Sequence, residues 1–341
     1  MELIPGLPEE LGLECLTRLP YTAHPTAAGV CQNWKLLLQS PQFYRHRSLS
    51  GKTHKLAVLV HSLPAPPPAP DGAKPPAPPP YALAVFSPSA GTFTRLDAVP
   101  AKGGLIPLFC RLVSVGRKLV VVGGWDPETW DPVSDVFVFD FVTRRWRRGR
   151  DMPSKRSFFA AGATADGRVL VAGGHDEGKN ALSSCWGYDV ERDEWAELAR
   201  MSEERDECEG IVVGNEFWVV SGYGTERQGR FEASAEVYEA GTGRWRRVEG
   251  AWGSSRCPRG CVGVGSDGKL VCLAELGGEV RVGGYVVELG ESTLFTGSAS
   301  QGGPPLFYLV DRREGQNVKW TRVDVPKEFG GFVQSGCCLE I

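Results

Sequence analysis

The sequence of 341 residues contains 38 lysines and arginines against 41 aspartates and glutamates, a formal net charge of −3. This balance argues against an overall electrostatic field that would recruit nucleic acid or an anionic membrane. No apolar run approaches the roughly 18 residues that a membrane-spanning helix needs, and the acidic start MELIPGLPEELG predicts no signal peptide. We therefore expect the protein in the cytoplasm, the nucleus or both.

Residues 3–48 predict a small helical unit. Pro8 followed by Glu9 and Glu10 is a favourable helix start, since the missing N–H and the negative charges both suit the first turn. The first helix carries an apolar stripe of Leu11, Cys15, Leu16 and Leu19, and one second helix is expected to present Ala27, Val30, Cys31, Trp34 and Leu38. Periodicity alone also allows a helical cap on the rest of the chain.

The amino-acid sequence of this unit identifies its family more specifically than the periodicity of its apolar residues does. LPEELGLECLTRLP, followed by AAGVCQNWKLLLQSPQF, resembles an F-box in both residue type and spacing. The resemblance implies docking on the Skp-type adaptor of cullin-based ubiquitin ligases. It makes the following residues candidates for the adaptor interface or the F-box core, two roles that the sequence does not separate: Leu7, Pro8, Leu11, Leu16, Leu19, Pro20, Val30, Cys31 and Trp34.

Residues 55–96 predict three strands with a long interruption. KLAVLV, YALAVF and TFTRL alternate or run apolar as strands do. Between the first two lie residues 64–80, of which ten are proline. Such a segment cannot donate to a sheet and favours extended polyproline conformations. We interpret it as a disordered loop insertion, with a ligand for SH3- or WW-type domains as the alternative.

The next part of the chain repeats one pattern. VVVGGW at 120–125 returns as VLVAGGH at 169–175 and, with serine for the first glycine, as WVVSGYG at 218–224. A later tryptophan keeps the same period, at Trp146, Trp195 and Trp245, which are 49 and 50 residues apart. This spacing resembles kelch repeats, most specifically over residues 104–250, and implies four-stranded blades arranged in a β-propeller.

Three regular blades are predicted at 105–148, 158–198 and 208–248. A fifth, degenerate blade has Glu275 and Leu276 in place of glycines and is expected to include VRVGGYVVEL, while TLFTGSA and LFYLVDRREGQNVKW begin a sixth. The terminal FVQSGCCLEI has no blade of its own, so we expect it to complete the first blade and close the ring.

The predicted fold class is therefore an all-β kelch β-propeller preceded by a small α-helical F-box. The F-box occupies residues 1–48 and the propeller residues 55–341, with the Pro-rich insertion at 64–80. Six blades are expected, with five or seven as alternatives because the fifth is degenerate.

Two sets of loops meet on one face of such a propeller, and surface loops on a rigid ring favour recognition. The candidate binding residues after the glycine pairs are Trp125, Asp126, His175, Asp176, Tyr223 and Glu226, and those before each blade's first strand are Arg156, Ser157, Arg205, Asp206 and Arg259. Exposed tryptophan, tyrosine and arginine dominate binding hot spots. The alternative is that the aromatic rings pack between blades and the charges are solvated. The Pro-rich loop is expected to overhang the same face.

Several other motifs suggest no further activity. The basic stretch RRWRRGR at 144–150 is expected to protect the edge of an outer strand rather than to bind nucleic acid. His175, Asp176 and Glu177 lack a nucleophile–base arrangement. The ten cysteines are expected to be reduced and buried, and Cys257 with Cys261 finds no matching histidine spacing, so we expect no metal and no cofactor.

Together the two regions resemble the plant F-box/kelch-repeat family, through phrases such as VVVGGWDPETWDPVSDVFVF, RRGRDMP and VAGGHDEGKNAL. The resemblance implies a non-enzymatic substrate receptor that delivers phenylalanine ammonia-lyase or cytokinin response regulators for degradation. Negative regulation of phenylpropanoid synthesis or of hormone signalling would follow. A kelch scaffold outside any ligase and a propeller enzyme are the competing classes.

Overall fold

A computed structural model describes residues 3–63, 80–101, 104–254, 256–265, 268–275, 280, 282–311 and 319–341. The Pro-rich insertion lies outside the described residues, except for Pro80. No helix in the described ranges combines the length and apolar character needed to cross a membrane.

The N-terminal unit is helical, as predicted. Its helices are α1 (Glu9–Thr17), α2 (His24–Ala28), α3 (Gln32–Leu38) and α4 (Pro41–Leu49). The prediction of one continuous second helix was wrong, because the chain leaves the helical conformation between α2 and α3. Cys31 is extended there, with φ −158° and ψ 165°, and its Sγ caps α3 by accepting from the backbone N–H of Trp34 at 3.5 Å.

The remainder of the described chain is built from antiparallel strands. The first three sheets in chain order contain β1 (Lys55–Ser62), β2 (Tyr81–Ser87), β3 (Thr92–Arg95), β4 (Arg111–Val115), β5 (Lys118–Val122), β6 (Val136–Asp140), β7 (Arg145–Arg148), β8 (Ala160–Ala163), β9 (Arg168–Ala172), β10 (Cys185–Asp189) and β11 (Glu194–Leu198). The rest are β12 (Glu209–Val213), β13 (Glu216–Val220), β14 (Ala235–Glu239), β15 (Arg244–Val248), β16 (Val262–Val264), β17 (Leu270–Cys272), β18 (Val282–Leu289), β19 (Ser292–Ser298), β20 (Pro305–Asp311), β21 (Lys319–Arg322) and β22 (Val333–Glu340).

Within the described residues these strands form five four-stranded sheets and one two-stranded sheet. We call β22-β1-β2-β3 the first blade, and the sheets β4–β7, β8–β11 and β12–β15 the second, third and fourth blades. The first strands β22, β4, β8, β12 and β16 lie side by side in that order, and β18 lies beside β22. They surround a central cavity of about 430 Å³.

The predicted closure of the ring is confirmed. The C-terminal strand β22 pairs antiparallel with β1, with Leu56 opposite Leu339 and Ala57 opposite Cys338. Ile341 and His54 extend the ladder by exchanging backbone hydrogen bonds of 2.7 and 3.0 Å. The two ends of the propeller are therefore joined within one sheet, which removes an exposed edge.

The tryptophans that set the sequence period lie on outermost strands and connect neighbouring blades. Trp146, Trp195 and Trp245 each pack against an aromatic ring of their own blade. Their indole N–H groups donate to the backbone carbonyls of Asp97, Arg150 and Ala199, at 3.1, 2.8 and 2.6 Å. Each of these carbonyls lies in the segment that leads into the blade.

The fifth unit is irregular, and one strand assignment there was wrong. Its described part is the two-stranded sheet β16–β17. VRVGGYVVEL was expected to belong to it, but Val282–Leu289 instead forms β18, the first strand of the β18–β21 sheet. The cause is a two-residue hairpin at Gly290 and Glu291, which places Leu289 opposite Ser292 and connects β18 directly to β19.

The F-box packs on one end of the propeller. The turns between first and second strands in the β4–β7, β8–β11, β12–β15 and β18–β21 sheets lie at that end, which we call the F-box face. The turns between third and fourth strands in the first four blades lie there as well. The Arg117 guanidinium lies 4.5 Å from the centre of the Tyr44 ring, and the Tyr21 and Phe141 rings are 6.3 Å apart. The core of the F-box is continuous with that of the first two blades.

The glycine-pair loops lie at the opposite end, because they join second strands to third strands. We call this end the Gly-pair face. It also includes the segments that lead from one blade into the first strand of the next. The Pro-rich insertion joins β1 to β2, the second and third strands of the first blade. Its predicted overhang of this face falls outside the described residues.

Candidate functional site

The glycine pairs connect each blade to the next. Gly124 and Gly174 have positive φ values of 103° and 80°, and their N–H groups donate to the backbone carbonyls of Arg156 and Arg205. A Cβ on Gly174 would lie 2.4 Å from the Ser157 carbonyl oxygen. Glycine is therefore required both for the conformation and for the close approach of the neighbouring loop.

The expectation that Arg156 and Arg205 are exposed was wrong: both are 0% exposed. Arg156 donates to the carbonyls of Gly173 and Ser184, at 3.1 and 3.3 Å, and to the Ser154 and Ser184 hydroxyls. Burial lowers the pKa of Arg156 to about 10. In the described part of the chain no carboxylate is bonded to this guanidinium, which connects β9 to β10 within the third blade through neutral oxygens.

Arg205 occupies the same place in the fourth blade but has an acidic partner. It donates to the Ser221 carbonyl at 2.9 Å and to the Ser234 hydroxyl at 2.9 Å. Its Nε lies 3.3 Å from Oε1 of Glu236, and both side chains are 1% exposed. The Glu236 carboxylate also accepts the backbone N–H groups of Ser202 and Glu203. These two arginines hold the fold and are not available to a partner.

A chain of hydrogen bonds connects Trp125 to Asp206 across the Gly-pair face. The indole N–H of Trp125 donates to Nε2 of His175 at 3.2 Å. Because an indole N–H can only donate, Nε2 must be the acceptor and the proton must lie on Nδ1. His175 Nδ1 then donates to the Asp206 carboxylate, at 2.9 and 3.0 Å. His175 and Asp206 are buried, so they fix the orientation of Trp125 rather than act as an acid–base pair.

The remaining candidate residues divide by exposure. Ser157 and Tyr223 are buried, and the Tyr223 hydroxyl donates to Glu207 at 3.0 Å. Asp126 and Asp176 are half-buried and accept backbone N–H groups of their own loops, at 2.7 and 3.0 Å from Glu128 and Asn180. Glu226 is exposed, in a single 3₁₀ turn at Thr225–Arg227.

Sequence reasoning missed two residues of this face, Phe109 and Phe158. Both are half-buried and have left-handed φ values of 57° and 56°. Each lies two residues before the first strand of its blade. Glu207 and Gly260 lie at the same offset before β12 and β16, and their φ values are 50° and 69°. The sequence did contain a signal for these two residues, because they are 49 residues apart and so follow the same spacing as the repeated tryptophans.

Phe109 and Phe158 meet Trp125 and Arg259 in what we call the aromatic–arginine cluster. The Phe109 and Phe158 rings are 4.8 Å apart, and the Trp125 ring lies edge-on 5.5 and 5.2 Å from them. The Arg259 guanidinium lies 4.1 Å from the Phe158 ring centre and 5.3 Å from that of Phe109. The Lys179 ammonium lies 4.0 Å from the Trp125 ring centre.

The F-box presents a second candidate surface, and the structure divides its predicted residues. Leu16 is 2% exposed and belongs to the core, while Leu7, Leu19 and Trp34 are partly buried. Leu11 and Val30 are 53% and 64% exposed. The exposed residues of the predicted set are Pro8, Leu11, Pro20, Val30 and Cys31, and Leu36 joins them although it was not predicted.

The other motifs are accounted for by the fold. Residues 145–148 form the outermost strand of the second blade, where Arg147 pairs with Asp193 at 3.1 Å and Arg148 with Asp135 at 2.7 Å. The expectation of buried cysteines was wrong for Cys15 and Cys31, which are exposed on the F-box. Across the described ranges, no group of three His, Cys, Asp or Glu side chains has the arrangement of a metal site.

Comparison with known proteins agrees with both regions. The F-box domain model matches residues 4–46, and the KLHDC2/KLHL20/DRC7 Kelch-repeats domain model matches residues 109–279. F-box/kelch-repeat protein At1g15670 of Arabidopsis thaliana is 38% identical over 363 residues, covering 100% of both chains. The chain belongs to the F-box/kelch-repeat family.

Further members of this family show similar agreement. F-box/kelch-repeat protein At1g80440 of the same plant is 36% identical with 100% of both chains covered. F-box/kelch-repeat protein SKIP20 is 42% identical over 74% of this chain and 67% of its own. F-box/kelch-repeat proteins are non-catalytic adaptors, and the F-box implies binding to a Skp-type adaptor and a substrate-receptor role in an SCF-type ligase.

Proposed function

We propose that this F-box/kelch-repeat protein holds its substrate on the Gly-pair face while the F-box binds the Skp-type adaptor at the other end. The single observation that supports this division is the placement of the two surfaces. The exposed apolar residues of the F-box and the aromatic–arginine cluster lie at opposite ends of one continuously packed chain. Two macromolecules can then bind at once, and the receptor contributes proximity rather than chemistry.

The adaptor surface is proposed to centre on Leu11 and Val30. A coherent set of exposed apolar side chains on a unit this small is best explained by a partner that covers them. Pro8, Pro20 and Cys31 extend this surface. Leu7, Leu19 and Trp34 support it from the partly buried side, and Leu16 belongs to the core.

The proposed substrate is phenylalanine ammonia-lyase, which would make the protein a negative regulator of phenylpropanoid synthesis. The support is the resemblance of its repeat phrases to that branch of the family. Cytokinin response regulators are the second candidate, supported by the same phrases. A scaffold outside any ligase would have to leave the F-box surface uncovered. The cytoplasm and the nucleus are both compatible with this role.

We further propose that the β16–β17 sheet is the fifth of six blades. The support is the order of the first strands, which places β16 next to β12, and the backbone hydrogen bond of 2.7 Å from Val286 on β18 to Gly260. The proposed domains are residues 1–48 for the F-box and 55–341 for the propeller.

Adaptor binding can be measured directly with the purified full-length chain and a Skp-type adaptor. Changing both Leu11 and Val30 to serine should remove two apolar anchors, together about 2 kcal/mol or more, or roughly thirtyfold in affinity. Val282→Ser is a matched control, because Val282 is 39% exposed on the Gly-pair face. Unchanged affinity of the double variant would contradict the proposal.

A further inference from the structure

Arg259 has no acidic partner among the described residues, which is also true of Arg156, but Arg259 is half-buried whereas Arg156 is fully buried. Arg205 pairs with Glu236 and Arg111 with Glu209, whereas no carboxylate of the described residues lies within ion-pair distance of Arg259. Its guanidinium is stacked over Phe158 and Phe109, and the side chain is half-buried. Stacking occupies one flat side of the group and leaves its N–H edges available for hydrogen bonding.

The nearest carboxylates of the same face are already bound to other groups. Glu209 forms an ion pair with Arg111, with a hydrogen bond of 3.0 Å and a second contact of 2.8 Å, and it also accepts the backbone N–H groups of Gly210 and Gly260. Glu207 accepts from the Tyr223 hydroxyl, and Asp206 from His175. Each of these carboxylates is therefore held by another donor, and none of them forms an ion pair with Arg259.

The backbone that supports this arrangement is held in an uncommon conformation. Phe109 and Phe158 both have left-handed φ values, which bulky residues rarely adopt. Such conformations are retained where the surrounding structure imposes them, and they cluster at binding sites. Here they bring two aromatic rings under one guanidinium. The same offset is left-handed at Glu207 and Gly260, so the conformation is a feature of the repeat, and the side chains at Phe109 and Phe158 are what distinguish this pair.

A polar group at the axis adds an independent observation. Oε1 of Gln334 accepts the backbone N–H of Phe109 at 3.0 Å, which fixes the orientation of the amide, so that its Nε2 donor points elsewhere. That Nε2 is buried and has no hydrogen-bond partner among the residues that the structure describes. Buried donors in folded proteins are nearly always satisfied. A small shift of the side chain on binding would give a ligand oxygen one further donor.

We propose that the aromatic–arginine cluster binds a peptide segment in which a carboxylate side chain follows an apolar one. Arg259 would donate to the carboxylate with its free N–H edges, and the exposed edges of Phe109 and Trp125 would contact the apolar side chain. A basic segment is disfavoured, because Arg259 and Lys179 already cover the aromatic faces that a ligand cation would use. This inference rests on the proposed function, since the segment would belong to the protein that is delivered.

The probes are three pools of fluorescein-labelled peptides with random flanks. Each has Leu or Phe at a fixed position, followed by two glutamates, two glutamines or two lysines. Fluorescence polarisation with the full-length chain should show binding of the glutamate pool about tenfold or more tighter than the glutamine pool, because a charge-assisted hydrogen bond is lost in the latter. The lysine pool should bind most weakly.

Arg259→Leu should abolish the preference for glutamate over glutamine and leave the weak binding of the glutamine pool unchanged. Arg230→Leu is the matched control, since Arg230 is an exposed arginine in a loop of the same face, and it should keep the preference. If circular dichroism shows that Arg259→Leu is unfolded, Arg259→Gln replaces it with the same expected result.

Equal binding of the glutamate and glutamine pools by the wild-type chain would overturn the inference. So would a preference that survives in Arg259→Leu, or stronger binding of the lysine pool. The same proteins are assayed for binding to the Skp-type adaptor. A wild-type chain that binds the adaptor but shows no preference among the peptide pools rejects this site alone, whereas a wild-type chain that fails to bind the adaptor would contradict the proposed function.

Discussion

The third and fourth blades use the loop before the first strand differently from the fifth unit. In the two regular blades this loop contains Arg156-Ser157 and Arg205-Asp206, and the arginine turns inward to bind the ends of its own strands. In the fifth unit the corresponding pair is Pro258-Arg259, so the arginine is displaced by one residue. The inward position is then held by proline, and Arg259 lies on the aromatic faces of the Gly-pair surface instead.

This difference shows that one residue type has two roles on the same scaffold, decided by a shift of a single position. An inward arginine finds carbonyl groups at the strand ends and becomes part of the blade. An arginine one residue later in the sequence, as at Arg259, instead packs against the Phe109 and Phe158 rings of the second and third blades. The fifth unit has also lost the glycine pair that an inward arginine would serve, because Glu275 and Leu276 occupy that place in the sequence.

The largest expected effect on stability comes from removing an inner strand of the ring rather than an outer one. The ring accommodates a fifth unit whose described sheet has two strands, β16 and β17. Deleting residues 332–341 would instead remove the inner strand of the first blade, including the buried Val333, Leu339 and Ile341, worth on the order of 5–8 kcal/mol together. Since a domain has about 5–15 kcal/mol in total, the truncated chain should lose its cooperative melting transition and aggregate. A truncated chain that melts like the full-length protein would refute ring closure as a requirement.

Arg205→Met should be the most destabilising single change. It leaves the buried Glu236 carboxylate without its counter-ion, which typically costs about 3–5 kcal/mol in free energy of unfolding. Adding Glu236→Gln should restore part of that loss, because the unpaired charge is then removed. Urea denaturation of the single and double variants measures both effects. If the second change gives no recovery, the ion pair is not the reason that Arg205 is buried.

Arg156→Met should cost less, about 1–2 kcal/mol, because no carboxylate is left unpaired. The hydrogen bonds lost are those to neutral oxygens of Gly173, Ser184 and Ser154. Removing a guanidinium whose pKa is already lowered by burial also relieves a desolvation cost. The same urea series applies here. A loss as large as that of Arg205→Met would mean that the carbonyl contacts, rather than the charge pair, dominate in both blades.

Trp195→Phe tests the hydrogen bond from the tryptophan indole, a second feature that connects the regular blades. It removes the hydrogen bond of 2.8 Å to the Arg150 carbonyl but keeps an aromatic ring beside Tyr188. The expected loss is about 1 kcal/mol, seen as a small decrease in the urea midpoint. Trp186→Phe, a change on the neighbouring strand, serves as the control. An unchanged midpoint in Trp195→Phe would show that the indole N–H contributes nothing between blades.

Arg259→Leu should have the smallest effect on folding, below about 1 kcal/mol, since it removes a cation–aromatic contact and no ion pair. The melting temperature should therefore stay close to that of the wild type. A loss comparable with that of Arg205→Met would place Arg259 among the structural arginines and remove the contrast between the fifth unit and the regular blades.

The periodic features of the fold were accessible from the sequence. Glycine pairs and tryptophans at a constant spacing follow from backbone requirements that any similar blade shares, and the unpaired C-terminal strand pointed to ring closure. The boundaries of the fifth unit were not accessible, because a two-residue hairpin at Gly290 reassigned β18 to the following strands. Local composition does not reveal which neighbour a strand will pair with.

The candidate site was predicted as a location but not as a set of contacts. Trp125 and Arg259 lie on the Gly-pair face and are half-buried, whereas the side chains of Arg156 and Arg205 are fully buried. Burial of a guanidinium depends on carbonyl groups from strand ends that are distant in sequence, such as Ser184 for Arg156. Phe109 and Phe158 were missed because their side chains reach the face through left-handed backbone, which side-chain type alone does not signal.

The most direct test is affinity capture of three full-length proteins from plant cells with the proteasome blocked. Wild-type chain should yield the Skp-type adaptor, a cullin and a ubiquitinated protein. The Leu11→Ser, Val30→Ser double variant should lose adaptor and cullin but keep the unmodified substrate, and Arg259→Leu should keep adaptor and cullin but lose the substrate. Loss of both partners from either folded variant, or retention of the same substrate by Arg259→Leu, would contradict two separate surfaces at opposite ends of the molecule.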